Sequence, residues 1–176
     1  IGSTSEHYAT ETFDRYNAQA TTVNPYMGYE SLIPFLNRSN KGVYVLCRTS
    51  NPGADEIQNL QLQSGEKLFE KIALTAKEKW NKKSQIGLVI GATVIDELKS
   101  VIKLCPDLPL LVPGIGKQGG SITEVIKATK NKKNTLINSS RSIIYSSKDD
   151  DWIDNAAKEA QKINGEINNL QSSYEN

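Results

Sequence analysis

The chain is poor in the residues that make metal and nucleophile chemistry easy. His7 is its only histidine, and Cys47 and Cys105 are its only cysteines. A zinc site or a Ser-His or Cys-His pair therefore has almost no material. Two cysteines far apart in sequence are too few for a secreted disulfide scaffold. Both adjoin apolar runs, Val43 to Cys47 and Val101 to Cys105, so buried free thiols in a reducing cytoplasm are expected. An excess of either charge is also missing, with 21 basic against 20 acidic residues and a net charge of +1. That balance favours neither nucleic acid nor an anionic membrane as a partner, so an anionic ligand must be met by local groups. No apolar stretch approaches the length of a bilayer span, and no segment reads as a secretory signal.

What is present is an alternation of strand and helix over 176 residues, enough for one well-buried core. Ser3 and Glu6 read as a capping box, with Tyr8, Phe13 and Tyr16 as the apolar face of the helix behind it. A short strand is predicted over Thr21 to Asn24, and a short helix over Tyr29 to Asn37 with Pro34 near its first turn. Gly42 to Arg48 is a strand bounded by turn residues. Leu68, Ile72, Ala76 and Trp80 repeat at helical spacing in a helix from about Ser64 to Trp80. Ile86 to Ile90, Pro109 to Val112 and Thr135 to Asn138 read as further strands. Between them lie helices opened by Thr93 and Asp96, facing the core with Leu98, Val101 and Ile102, and by Ser121 and Glu124. A last helix from about Asp150 carries Ala156, Ala160, Ile163, Ile167 and Leu170 on one stripe. Continuous apolar strands between amphipathic helices indicate an α/β protein with a parallel sheet. An open doubly wound sheet and part of a closed eight-stranded barrel both fit, and periodicity does not choose between them.

The candidate functional residues crowd after the strands. Pro113 to Gly120 is a glycine-rich loop leading straight into a helix start, suited to bringing backbone N–H groups close to a phosphate. Gln118 adds a neutral donor. Taken alone, turn chemistry also explains such a run, and it matches neither a dinucleotide fingerprint nor a Walker loop. Asn138-Ser139-Ser140-Arg141 closes the next strand, where an arginine can fork onto the same phosphate. A lone arginine usually makes a surface ion pair, but ligands from two adjacent strand ends are the arrangement barrels use for phosphate. Ser50, in the turn Arg48 to Gly53, has no base beside it in sequence and reads as a hydrogen-bonding hydroxyl rather than a nucleophile. His7 and the basic run Lys127, Lys130, Lys132 and Lys133 read as solvated.

Five segments in fixed order resemble orotidine 5'-monophosphate decarboxylase, in the branch with VNPYMG-type strand ends: VNPYMG (Val23 to Gly28), VLCRTSNPG (Val45 to Gly53), GLVIGAT (Gly87 to Thr93), LLVPGIGKQGG (Leu110 to Gly120) and NSSRSI (Asn138 to Ile143). The resemblance implies a TIM (β/α)8 barrel of which this chain holds about strands four to eight. It implies a homodimer with shared active sites that converts orotidine monophosphate (OMP) to uridine monophosphate (UMP) without metal or cofactor. Within it, Ser50 would bond the pyrimidine, and Gln118 and Arg141 would hold the phosphate, helped by backbone around Gly116 and Ser140. Pro113 and Ile115 would wall the base pocket, while Thr4 and Ile1 would reach into the partner's site. Lys117 departs from the small residue that many relatives carry.

The family's catalytic signature, Asp-x-Lys-x-x-Asp, runs directly into Ile-Gly-Ser-Thr or similar, which is how this chain opens. The resemblance therefore places the catalytic lysine and aspartates just before Ile1, in a segment of the same barrel, and none within residues 1 to 176. Two other readings compete with the decarboxylase: a non-catalytic fragment that binds a phosphate ligand, and a different phosphate-binding barrel lyase. Five of eight barrel units leave two raw sheet edges, so the 176-residue segment is not expected to be stable alone.

Overall fold

The computed structural model describes residues 1–116, 119–130, 132 and 134–175. The apolar runs become five strands: β1 (Ala20–Val23), β2 (Gly42–Arg48), β3 (Ile86–Ile90), β4 (Leu110–Pro113) and β5 (Thr135–Asn138). They pair in parallel, and their order across the sheet is their order along the chain. A doubly wound sheet reverses direction part-way so that helices cover both faces. Here every crossover steps the same way, and because such crossovers share one hand, the helices collect on one face. The result is a curled half-barrel.

Side chains alternate between the two faces of the sheet. Val43, Val45, Cys47, Leu88, Leu110 and Val112 lie on the helix side and are buried. They share a core with Phe69 and Ala73 of α3 (Leu68–Thr75), Leu98 and Val101 of α4 (Ile95–Leu104), and Val125 of α5 (Ile122–Thr129). Each such aliphatic side chain stabilises the fold by roughly 1.5–3 kcal/mol. The other face is barely covered at its margins. Tyr44, Leu46 and Leu111 are half-buried there, and Leu136 of β5 is 56% exposed. Only β3, in the middle, is buried at every position.

Several helices start differently from the sequence expectation. α1 (Gly2–Ala9) has Ile1 at its cap with no side-chain cap bond, so the Ser3–Glu6 box does not form. The helix widens into a π-helical turn, Thr10–Arg15, which buries Phe13 and leaves Tyr8 and Tyr16 exposed. The expected helix over Tyr29 to Asn37 divides into a 3-10 turn at Tyr29–Ser31 and the one-turn α2 (Ile33–Leu36), with Pro34 near the start of α2 as expected. α3 begins at Leu68 rather than Ser64, where the Lys67 N–H donates to Glu70 at 2.9 Å. Its buried stripe is Phe69, Ala73 and Ala76, with Ile72 and Trp80 on the flank. Val94, not Thr93, precedes α4, again with no side-chain cap bond. Ser121 does cap α5, accepting from the Glu124 N–H at 3.3 Å. A one-turn α6 (Arg141–Ile144), absent from the sequence reading, comes before α7 (Trp152–Glu175). The predicted stripe of α7 is its half-buried side, and the helix packs on α5 and α6. His7 is exposed as expected. Lys132 is not solvated: it is buried, its ammonium donates to the Pro106 carbonyl, and burial lowers its pKa. Lys133 lies outside the described residues.

Arg38, just beyond α2, fastens α1 to the sheet domain. Its guanidinium donates to Glu6 at 2.6 Å, Asp14 at 3.0 Å, Thr10 at 3.1 Å and the Pro34 carbonyl at 2.8 Å. The hydrogen bond from Arg38 holds the Glu6 carboxyl below its ordinary value of 4.5. A depressed folded pKa adds stability that is present above the unfolded value and lost as pH falls through the folded one. Between about pH 6 and about pH 3, the denaturation midpoint of the wild-type protein should therefore fall further than that of Glu6→Gln. Equal falls in urea titrations would show that Glu6 carries no such linkage.

Candidate functional site

The loops leaving the C-terminal ends of the strands are tied into a rim. The Gly91 N–H donates to the Arg48 carbonyl, and the Ala92 N–H to the Pro113 carbonyl, both at 2.8 Å. Gly91 also lets the loop after β2 press against the end of β3. A Cβ there would fall 2.8 Å from the Ser50 Cβ and 3.0 Å from its backbone nitrogen. Ser50 is half-buried in this corner, and its hydroxyl has no hydrogen-bond partner among the described residues.

After β4 the chain folds back on itself. The Gly119 N–H donates to the Gly116 carbonyl at 2.8 Å, and the Gly120 N–H to the Gly114 carbonyl at 3.1 Å. Gly114, Gly116 and Gly119 take φ values of 103°, 83° and 88°, a region open at little cost only to glycine. A Cβ on Gly120 would lie 2.5 Å from both the Ala92 Cβ and the Gly114 oxygen, so this loop sits directly on the end of β3. Gln118, a sequence candidate, lies with Lys117 outside the described residues.

The loop after β5 packs beside it. Ser139 donates to the Ile115 carbonyl at 3.4 Å and shares a short hydrogen bond with Ser142. Ser140 donates to the Asn138 side chain at 3.2 Å. Between the two loops lies a cavity of about 230 Å³ lined by Pro113, Gly114, Ile115, Asn138, Ser140, Arg141 and Ser142. Arg141 is the one charged residue in that lining, is exposed, and has no ion pair among the described residues. An unpaired cation among hydroxyls and backbone groups suits an anion.

Of the residues singled out in the sequence, Pro113, Ile115, Ser140 and Arg141 line this one cavity. Ser50 stands further along the same rim. Ile1 and Thr4 are exposed at the start of α1 and do not line the cavity. The sequence reading overlooked Asn138, Ser139 and Ser142 as site residues, although they sit inside the run it singled out. It also overlooked Arg48, which is 4% exposed and donates to the Thr49 carbonyl, Asp55 and Gln58, with Glu97 at 3.7 Å. An arginine ending an apolar strand was the only hint.

A parallel half-barrel with an anion-suited cavity between the ends of adjacent strands has the form that phosphate-binding β/α barrels take. The chain belongs to the Orotidine 5'-phosphate decarboxylase / HUMPS family, whose model matches residues 1–155. It is 49% identical over 173 residues to the orotidine 5'-phosphate decarboxylase of Bordetella petrii, covering 97% of this chain and 64% of that protein. Among solved structures, UMP synthase of Leishmania donovani superposes with a TM-score of 0.85 at 38% identity, over 97% of this chain and 37% of that one. OMP decarboxylase of Leishmania donovani gives 0.82 at 35% identity, over 96% and 63%. The chain spans a little under two thirds of the length of these two decarboxylases.

Proposed function

We propose that this chain forms the phosphate-binding and pyrimidine-binding side of an orotidine 5'-monophosphate decarboxylase, which converts OMP to UMP and carbon dioxide. The observation that carries the proposal is Arg141, with no ion pair among the described residues, at a cavity lined in part by the glycine-rich loop. In this reading the five strand-helix units are strands four to eight of one eight-stranded barrel domain. Arg141 and Gln118 grip the 5'-phosphate with the backbone near Gly116 and Ser140. Pro113 and Ile115 wall the base, and Ser50 bonds the pyrimidine edge. Ile1 and Thr4 serve the partner's site in a homodimer, in keeping with their exposure and their absence from the described lining of their own chain's cavity. The protein works in the cytoplasm, which suits the buried free thiols Cys47 and Cys105.

The chemistry at carbon six is assigned to the aspartates and lysine that the family signature places before the Ile-Gly-Ser-Thr segment. Carboxylates crowding the substrate carboxylate and an ammonium beside the departing group favour the carbanion-like transition state over the ground state. The lysine then protonates carbon six. The phosphate lies far from the breaking bond, so its grip supplies binding energy that holds the reacting end in place. No metal or organic cofactor enters this scheme.

A non-catalytic phosphate-binding role is the alternative, and one feature favours it: Arg141 is the only ionisable side chain in the described cavity lining. The two readings separate in one assay on the protein as it occurs. Turnover of OMP to UMP that survives a chelator supports the decarboxylase. UMP binding without turnover supports the alternative.

A further inference from the structure

Among the described residues Ser50 has no hydrogen bond of its own to hold it, yet the residues on either side of it are tightly held. The Thr49 N–H donates to Gln58 Oε1 at 2.8 Å, and Gln58 Nε2 donates back to Thr49 Oγ1 at 2.9 Å. The Thr49 hydroxyl in turn reaches Asn51 Oδ1 at 2.6 Å. Gln58 itself is fixed at both ends of its peptide: its N–H donates to the Ala54 carbonyl at 2.7 Å, and its carbonyl accepts from Phe69 at 3.0 Å. Behind this pair, the buried Arg48 guanidinium donates to the Thr49 carbonyl at 2.9 Å and to Asp55, which closes the loop from inside. Gly91 blocks the other side by close approach. The backbone of Ser50 is therefore set by its neighbours while its hydroxyl has no partner among the described residues.

We propose that Gln58, braced by Arg48, is a positioning residue that fixes Ser50 within hydrogen-bonding reach of the ring edge of the bound nucleotide. The inference rests on the function proposed above and deepens it by assigning ring recognition to a two-sided amide clamp. A side-chain amide suits this role because one group can both accept from a backbone N–H and donate to a hydroxyl. Among the described residues the clamp touches neither the β4 nor the β5 loop, so in this proposal it governs the ring and not the phosphate.

The test uses Gln58→Met, which keeps the length of the side chain and removes both hydrogen bonds, in the protein as it occurs. Calorimetric titration with UMP and with ribose 5-phosphate separates ring from phosphate. The expected result is a Kd for UMP at least about tenfold weaker and a Kd for ribose 5-phosphate within about twofold of wild type, since an unmade polar contact to a ligand costs about that much. Gln58→Glu, which keeps an acceptor for the Thr49 N–H, should recover part of the UMP affinity. Equal weakening of both ligands, or no weakening of either, overturns the positioning role and leaves the decarboxylase reading standing. A wild-type protein that binds ribose 5-phosphate no more weakly than UMP overturns the pyrimidine reading itself, and the positioning role with it.

Discussion

Replacing Arg141 by alanine is expected to lower kcat/KM for OMP by roughly a hundredfold, with UMP affinity falling in parallel. Among the described residues the guanidinium is the one charge lining the cavity, and no carboxylate competes for it. A hydrogen bond to a charged group contributes about 1.5–3 kcal/mol, and a forked pair to a phosphate adds directional fit. About 3 kcal/mol corresponds to a little over two powers of ten in rate. Arg141→Lys should restore only part of the loss, because an ammonium keeps the charge but not the fork. A change of less than about tenfold in Arg141→Ala, equivalent to about 1.4 kcal/mol, would mean that this cation does not hold the phosphate.

The second large effect concerns the chain by itself. Produced as a 176-residue polypeptide, it is expected to show no sharp thermal transition as a monomer. β1 and β5 are both edges of the five-stranded sheet, so each presents a row of backbone donors and acceptors. The face opposite the helices leaves Leu136 exposed and Tyr44, Leu46 and Leu111 half-buried. Each large apolar side chain left uncovered forgoes part of roughly 1.5–3 kcal/mol, against a typical domain stability of about 5–15 kcal/mol. Scanning calorimetry together with sedimentation should reveal association or a broad, shallow melt. A sharp, concentration-independent transition from a monomer would refute this.

Much of the strand pattern was legible because it depends on local chemistry. Gly42–Arg48, Ile86–Ile90 and Thr135–Asn138 match their predicted bounds, each being an apolar run closed by turn residues. The helix starts were less legible, because distant groups compete for the capping side chains. Glu6 bonds to Arg38, which is 32 residues away, instead of closing a box with Ser3. The apolar face of the first helix was misread for a related reason. The π-helical turn at Thr10–Arg15 adds a residue to the turn and rotates the chain beyond it, which takes Tyr16 off the face that buries Ala9 and Phe13. The choice between an open sheet and a half-barrel depends on strand order, which is a long-range property with no local signal. Arg141 and the glycine-rich loop could be picked out because strand ends are where such folds bind, while Pro113, Ile115 and Ser140 followed from the family resemblance. The clamp of Gln58 on Thr49 could not, since a contact nine residues apart in an irregular loop leaves no period to detect.

The sequential strand order has a consequence for how such a pocket can change. Ser50 follows β2 and Arg141 follows β5, with β3 and β4 between them, so the two groups are carried by separate loops. Variation confined to residues 49–58 would leave the cavity beneath Arg141 intact. On the proposed assignment of Ser50 and Arg141, directed evolution of that one segment would exchange the recognised head group while keeping a common phosphate handle. The architecture thus offers a modular route from one phosphorylated substrate to another.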